Sequence, residues 1–375
     1  MLVGVINAHT MEQLDEVVNG LPPHVYDLLE FRLDSCLHID LTVLGKILMT
    51  TPLPVIFTLR PTSQGGCYEG PEEERLAILT QLAALGPHYM DIEYSVDPHW
   101  IYALRKEHPS LQLILSYHNF DETPHPLTDI LDHMRAITPA RFYKIATYGR
   151  TTIDALRMLC FSKTYGDKGD VVAICMGADG ISTRILAPVV GGGLSYCNVL
   201  TPSAPGQLSA EVLLKTYNFN RLGPQTKIYG LIGDPVSPSR GHIFHNQQML
   251  QRHQNAVYVK WRLQPGELDS AVPLLKQLGI SGLSVTMPLK EHILPYIEEV
   301  DADIATIGAA NTIVLKDHRW TGFNTDGVGA FNALEDVLGK NLHGKTVVLL
   351  GAGGAARSIL YSAMKKGANT NFKRF

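Results

Sequence analysis

A chain of 375 residues, 45% of them hydrophobic with a mean hydropathy of +0.03, holds enough apolar material for more than one buried core, and a prior of roughly 150 residues per domain points to two or three domains. A net charge of −4 and a pI near 6.4 leave no basic footprint for nucleic acid or an anionic membrane, while small anionic substrates need only a few local cations. Five cysteines (Cys36, Cys67, Cys160, Cys175, Cys197) form no CxxC pair, and MLVGVINAHT lacks both a basic n-region and a long apolar h-region; the expectation is a reducing, cytoplasmic setting with no signal peptide and no membrane span.

In chain order, the first half alternates short apolar runs with helical stretches. The runs are LVGVIN (2–7), DLLEFRLD (27–34), PVIFTLR (54–60), YMDIEY (89–94), LQLILSYH (111–118), FYKIAT (142–147), VVAICMG (171–177) and LSYCNVL (194–200). Helix starts lie between most of them. Gly70-Pro71 precedes Glu72, Glu73 and Glu74, and Asp97-Pro98 opens HWIYALRKEH; proline at the first helical position and acids in the first turn both favour a helix there. Eight strands alternating with helices predict a (β/α)8 TIM barrel.

Residues 215–227, KTYNFNRLGPQTK, read as a linker, and a second α/β pattern follows. TKIYGLIGDP is a strand into a turn, IFHNQQMLQRH a helix, and AVYVKWRL and GLSVTMP two further strands. GKTVVLLGAGGAARSILYSAMKKGA reads as strand, glycine loop and helix. The predicted fold is α/β throughout: a barrel over 1–215, a linker over 216–226, an α/β substrate domain over 227–340 and the start of a Rossmann domain over 341–375. After Gly367-Ala368 a Rossmann unit calls for a second parallel strand, and NTNFKRF does not read as one. The expectation is therefore an incomplete nucleotide-binding unit with weak activity at best.

FYKIAT favours a buried strand, yet Lys144 sits in its middle. A buried amine is costly, so the lysine either snorkels to water or serves as a nucleophile. Barrel chemistry sits at the C-terminal ends of the strands, and those ends carry Glu30, Arg32, Arg60, His118, Lys144 and, after the seventh strand, Arg184. A desolvated lysine among arginines is expected to present a neutral amine that attacks a ketone, and His118 could then remove a proton from the carbon next to the iminium. Loss of a β-hydroxyl would complete a dehydration. Three arginines suit a polyhydroxylated keto acid.

EFR (30–32), TLRPTSQGG (58–66), SYHNF (116–120), YKIAT (143–147), MGADGISTR (176–184) and SAPGQ (203–207) resemble type I 3-dehydroquinate dehydratase, over about residues 1–215. The resemblance implies Lys144 as the Schiff-base lysine, His118 as general acid/base and Arg184 as carboxylate clamp. It implies Ser203 and Gln207 on a lid, and Glu30, Arg32 and Arg60 as hydroxyl binders. No cofactor is implied for this half. The family often has a glutamate before the Gly-Gly that follows Arg60, where this chain has Gln64.

GDPVSPSRGHIFHN (233–246), GLSVTMPLKE (282–291), GAANT (308–312) and GFNTDGVG (322–329) resemble shikimate dehydrogenase. That resemblance implies Lys290 and Asp326 as a catalytic pair, Asn311 on a ring hydroxyl, and Ser239 with Thr286 on the carboxylate. The second serine of the SxSP motif is missing at Ser239-Arg240-Gly241-His242, and Ser237 is the candidate substitute. NADP(H) would lie on Gly351, Ala352, Gly353, Gly354 and Ala355, since a glycine loop opening a helix offers amides to a pyrophosphate. His242 and His245 share a helix face without a third ligand, so no metal is expected.

The product of the first activity is the substrate of the second, so the two resemblances point to a bifunctional enzyme of the shikimate pathway that makes aromatic amino acid precursors. The expected partners are small molecules only, with a homodimer left open. Two alternatives stay open on the residues: another Schiff-base barrel such as a class I aldolase, and a barrel that binds a hydroxylated acid without turning it over.

Overall fold

The computed structural model describes residues 1–317, 319–339 and 341–373, and the chain folds into two compact units, one spanning Met1–Thr226 and the other starting at Lys227. None of the described helices is long and apolar enough to cross a membrane.

The first unit is an eight-stranded parallel sheet rolled into a barrel. Its strands are β1 (Leu2–Ile6), β2 (Leu28–Arg32), β3 (Val55–Thr58), β4 (Tyr89–Glu93), β5 (Gln112–Asn119), β6 (Phe142–Tyr148), β7 (Val171–Met176) and β8 (Ser195–Asn198). Seven neighbouring pairs form ladders in the order β7-β6-β5-β4-β3-β2-β1-β8. Across the β7–β8 seam the Gly193 amide donates to the Val171 carbonyl at 2.9 Å. Helices alternate with the strands, and their starts follow the capping chemistry of the sequence. Thr10 accepts from the Gln13 amide, Asp40 from those of Thr42 and Val43, and Asp97 from that of His99.

Strand side chains alternate between two surroundings. Leu29, Phe31, Phe57, Met90, Ile92, Leu113, Leu115, Tyr143 and Ile145 pack in one large buried cluster with the helices. Val3, Val5, Leu28, Ile56, Ile114, Phe142, Ala146, Ile174, Met176 and Tyr196 form a second cluster. The polar residues Glu30, Thr58, Arg60, Asp91, Glu93, Ser116, His118 and Lys144 share the parity of that second set, which places them inside the barrel.

The second unit has a six-stranded mixed sheet in the order β10-β9-β11-β13-β14-β12 and a separate parallel pair, β15-β16. The ranges are β9 (Lys227–Gly233), β10 (Ala256–Arg262), β11 (Gly282–Val285), β12 (Glu299–Val300), β13 (Thr312–Lys316), β14 (Arg319–Phe323), β15 (Thr346–Leu350) and β16 (Asn369–Lys373). The last of these corrects the sequence expectation: NTNFK does form a parallel strand, in register from Thr346↔Asn369 to Leu350↔Lys373. Ladder hydrogen bonds use backbone alone, so a polar segment pairs once the left-handed Gly367 (φ 68°) has turned the chain back from the helix Gly354–Lys365. Arg374 and Phe375, the end of the same motif, lie outside the described residues.

Candidate active site

In the barrel unit, β6 carries Lys144 inward between Phe142 and Ala146, and the residue is only 6% exposed. It does not snorkel. Its ammonium donates to Asp91 Oδ2 at 3.0 Å, stands 3.6 Å from Glu30 Oε1, and lies 4.1 Å from the centroid of the Tyr196 ring. The expectation of an amine ringed by arginines therefore gives way to one held between two carboxylates. Register explains the difference. Ser116 on β5 stands beside Lys144 on one side and Glu93 of β4 on the other, and its small side chain leaves room for a β4 acid to reach across.

Arg60 is wholly engaged. Its Nη1 donates to Glu93 at 2.6 Å and to Ser116 Oγ at 2.8 Å, and its Nη2 stands 2.8 Å from Asp91 Oδ1. Glu93 also accepts from Arg75 at 2.7 Å, and Arg75 reaches on to Glu72. Burial by itself would raise the Asp91 carboxyl, but the Arg60 and Lys144 cations hold it far below the usual carboxylate range. Glu30 accepts from Thr58 at 2.9 Å, and Arg32 makes a two-pronged pair with Asp34, which in turn accepts from the Cys67 amide at 3.0 Å.

His118, at the end of β5, has no partner at Nδ1 among the described residues. Removal from bulk water, followed by the Arg60 and Lys144 charges, pushes its imidazole well below its ordinary range, so at neutral pH it is a free base. Arg184, in the helix Ile181–Leu186, is 3% exposed, and no carboxylate pairs with it among the described residues. Its Nε has no hydrogen-bond partner among the described residues, and burial lowers the guanidinium to about 10. Gln207 Oε1 accepts from both the amide (2.7 Å) and hydroxyl (3.1 Å) of Ser203, folding SAPGQ into a short loop. Gly206 permits that turn: its φ is +74°, and a Cβ there would lie 2.3 Å from the Gly177 carbonyl oxygen.

One pocket opens among these groups. Glu30, Arg32, Arg60, His118, Lys144, Arg184, Ser203 and Gln207 all line it, so the structure brings together every barrel residue singled out in the sequence. Gln64 is there too, its Nε2 donating to Ser95 at 3.2 Å while its buried Oε1 lacks a partner among the described residues. Sequence reasoning missed Asp91, Glu93, Ser116, Asp34, Arg75 and Tyr196. The one available signal was two acids two residues apart in YMDIEY, on the face that a barrel strand turns inward.

In the second unit, Lys290 donates to Asp326 at 2.5 Å, and Asn311 donates to the other carboxylate oxygen at 2.7 Å and to Thr325 at 3.0 Å. The Lys290 carbonyl accepts from the Ala310 amide, which fixes the base of the lysine beside GAANT. Ser239 Oγ accepts from the Gly241 amide at 3.2 Å, and Lys260 donates to the carbonyls of Ser237 and Ser239. Thr286 continues β11 beside Gly233 at the end of β9. No side-chain hydrogen bond among the described residues joins Ser237, Ser239 or Thr286 to the Lys290–Asp326–Asn311 group. His245 stacks on Tyr258 with ring centroids 4.5 Å apart.

The glycine turn after β15 is open. Gly351 (φ +124°) and Gly353 have nothing within 4 Å of an added Cβ, whereas a Cβ on Gly354 would come 2.8 Å from Ala309 Cβ and 3.4 Å from Lys290 Cβ. Ala352 and Ala355 complete the turn into the helix Gly354–Lys365.

Residues 4–224 match the Type I 3-dehydroquinase family. The chain belongs to that family. Behind the dehydroquinase unit, residues 231–313 match the shikimate dehydrogenase substrate binding domain. The chain is 38% identical over 363 residues to the bifunctional 3-dehydroquinate dehydratase/shikimate dehydrogenase, chloroplastic, of Arabidopsis thaliana, covering 91% of this chain and 59% of that one. It is 34% identical over 354 residues to the shikimate biosynthesis protein AroDE of Chlamydia pneumoniae, covering 92% and 70%. A stretch of 142 residues is 40% identical to the shikimate dehydrogenase (NADP(+)) of Geobacillus kaustophilus, covering 38% and 51%. The dehydroquinase chain thus spans a little over half the length of the plant relative.

Proposed function

We propose that the barrel unit dehydrates 3-dehydroquinate to 3-dehydroshikimate through an imine on Lys144. The observation that carries this reading is Arg184: a buried guanidinium without an acid among the described residues, lining the same pocket as a buried lysine and a neutral histidine. An unpaired buried cation is costly, and a substrate carboxylate would complete the pair. His118 takes a proton from the Lys144 ammonium, and the freed amine adds to the ketone. The carbinolamine loses water with the proton returned from His118. The resulting iminium stands where the ammonium stood, facing Asp91, Glu30 and the Tyr196 ring, so the site is charge-matched to the intermediate. His118 then removes a proton from the adjacent carbon, the β-hydroxyl leaves as water with that proton, and hydrolysis of the imine frees the product and restores the ammonium.

The test is intact mass after incubation with 3-dehydroquinate and borohydride, followed by peptide mapping. A reduced adduct on Lys144 is expected. No adduct, with a working aldehyde-trapping control, would remove the imine mechanism and leave a binding barrel.

The second unit supports a companion reading: reduction of 3-dehydroshikimate to shikimate with NADP(H). The turn Gly351–Ala355 fits a dinucleotide, because Gly351 and Gly353 face open space and Gly354, which starts the helix, packs close to Lys290. Bound there, the nucleotide supplies a hydride. Asp326 holds the Lys290 ammonium toward the substrate oxygen as its proton donor, and Asn311 braces Asp326. Ser237, Ser239 and Thr286 are assigned to the substrate carboxylate. Oxidation of shikimate by the purified chain with NADP(+), followed by NADPH absorbance and lost in Asp326→Asn, tests this; a rate unchanged by that substitution would overturn the pair's role.

A further inference from the structure

Tyr196 of β8 has a buried hydroxyl that the dehydration as derived leaves idle. The residue is 3% exposed, pairs in register with Val3 of β1, and lines the pocket with Lys144, Glu30 and Arg184. Its ring face takes the Lys144 ammonium at 4.1 Å from the centroid, and its Oη has no hydrogen-bond partner among the described residues. Phenylalanine would give the same ring without the penalty of an unpaired buried hydroxyl, so the oxygen is explained only by something that enters the pocket.

Burial, then the neighbouring Glu30 and Asp91 carboxylates, raises the phenol well above its ordinary range. The hydroxyl therefore stays protonated and can donate. The ring has a second use. A cation over an aromatic face is stabilised whether it is an ammonium or an iminium, so the contact seen at rest persists through imine formation.

Resting on the imine reading above, we propose that Tyr196 contacts the substrate directly: its hydroxyl donates to an oxygen of the hydroxylated ring held on Lys144, and its ring face carries the positive charge of the imine.

Two variants of the full chain separate these parts. Tyr196→Phe removes only the hydroxyl, and should raise KM for 3-dehydroquinate about tenfold with kcat within about twofold. Borohydride trapping at saturating substrate should be unchanged in that variant, and its thermal midpoint should equal or exceed that of wild type. Tyr196→Leu removes the ring as well and should cut trapping at Lys144 at saturation at least about tenfold. A wild-type KM in Tyr196→Phe would overturn the hydroxyl contact and mean that water alone satisfies it. Trapping in Tyr196→Leu equal to that in Tyr196→Phe would overturn the ring's part. A wild-type chain that forms no adduct would instead sink the imine reading and this proposal with it.

Discussion

Lys144 donates to Asp91 at 3.0 Å while the far oxygen of the same carboxylate stands 2.8 Å from Arg60, so one buried acid holds two buried cations. The side chains of all three are at most 7% exposed, which makes the arrangement strong only while it is complete. Asp91→Asn leaves both cations under-compensated and should cost about 3–5 kcal/mol of stability, the usual result of removing one partner from a buried pair. Urea unfolding checks this. An unshifted midpoint would mean that Glu30 and Glu93 take over the charge.

Arg184 is the opposite case. A guanidinium already unpaired in the described structure gains nothing from its burial, so Arg184→Met should raise the thermal midpoint in the absence of ligand. The same substitution should raise KM for the carboxylate substrate by at least about 100-fold, in line with the 2–5 kcal/mol of a buried charge-assisted contact. Stability and affinity moving in opposite directions is the signature. A midpoint that falls would show that the arginine is structural.

The depressed His118 imidazole makes two pH predictions with one sign. Its folded range lies below the unfolded value of about 6.5, so the unfolded chain binds more protons in that window, and stability is lost as pH falls through it. Wild type should therefore lose more stability than His118→Asn between about pH 7 and pH 5, with the two curves parallel above that window. The acid limb of kcat/KM should likewise lie below about pH 6.5, because the free base persists there. A limb at or above that value would contradict the desolvated site.

Gly327 and Gly329 lie two residues apart on the helix Asp326–Leu338, yet they differ sharply in surroundings. A Cβ on Gly327 would come 2.2 Å from the Ser358 carbonyl oxygen, whereas one on Gly329 meets nothing within 4 Å. Gly327→Ala should cost about 1–3 kcal/mol by forcing the helices Asp326–Leu338 and Gly354–Lys365 apart. Gly329→Ala should be neutral or stabilising by up to about 1 kcal/mol. Equal effects in urea unfolding would refute the close helix contact.

Much of the barrel was legible in the sequence because a parallel strand buried on both faces must be a short apolar run, and the runs in the first half fall on β1 to β8. Lys144 and His118 stood out because polar residues break such runs. Asp91 and Glu93 break YMDIEY equally, but their purpose depends on Arg60 and Lys144, which reach them only when β3 to β6 lie side by side. Tyr196 was invisible for another reason: tyrosine in LSYCNVL is ordinary strand chemistry, and its unpaired hydroxyl is a fact of packing. In the second unit β12 to β14 were not read, because β12 is only two residues long and the segments between the GAANT and NTDG motifs, such as RWTGF, lack a long apolar run. The strand NTNFK was misjudged because its pairing owes nothing to side-chain type.

The alternation of barrel side chains between two surroundings has a bearing on assembly. Because inward and outward positions differ by a single residue, a slip of one place in β6 would turn Lys144 toward the helices and put Tyr143 or Ile145 in the pocket. Such a slip also buries an ammonium among leucines and leaves Asp91 with only one of its two cations, Arg60. The charges inside this barrel thus act as a checksum on its closure: a misthreaded barrel is inert and unstable together, and never half-active.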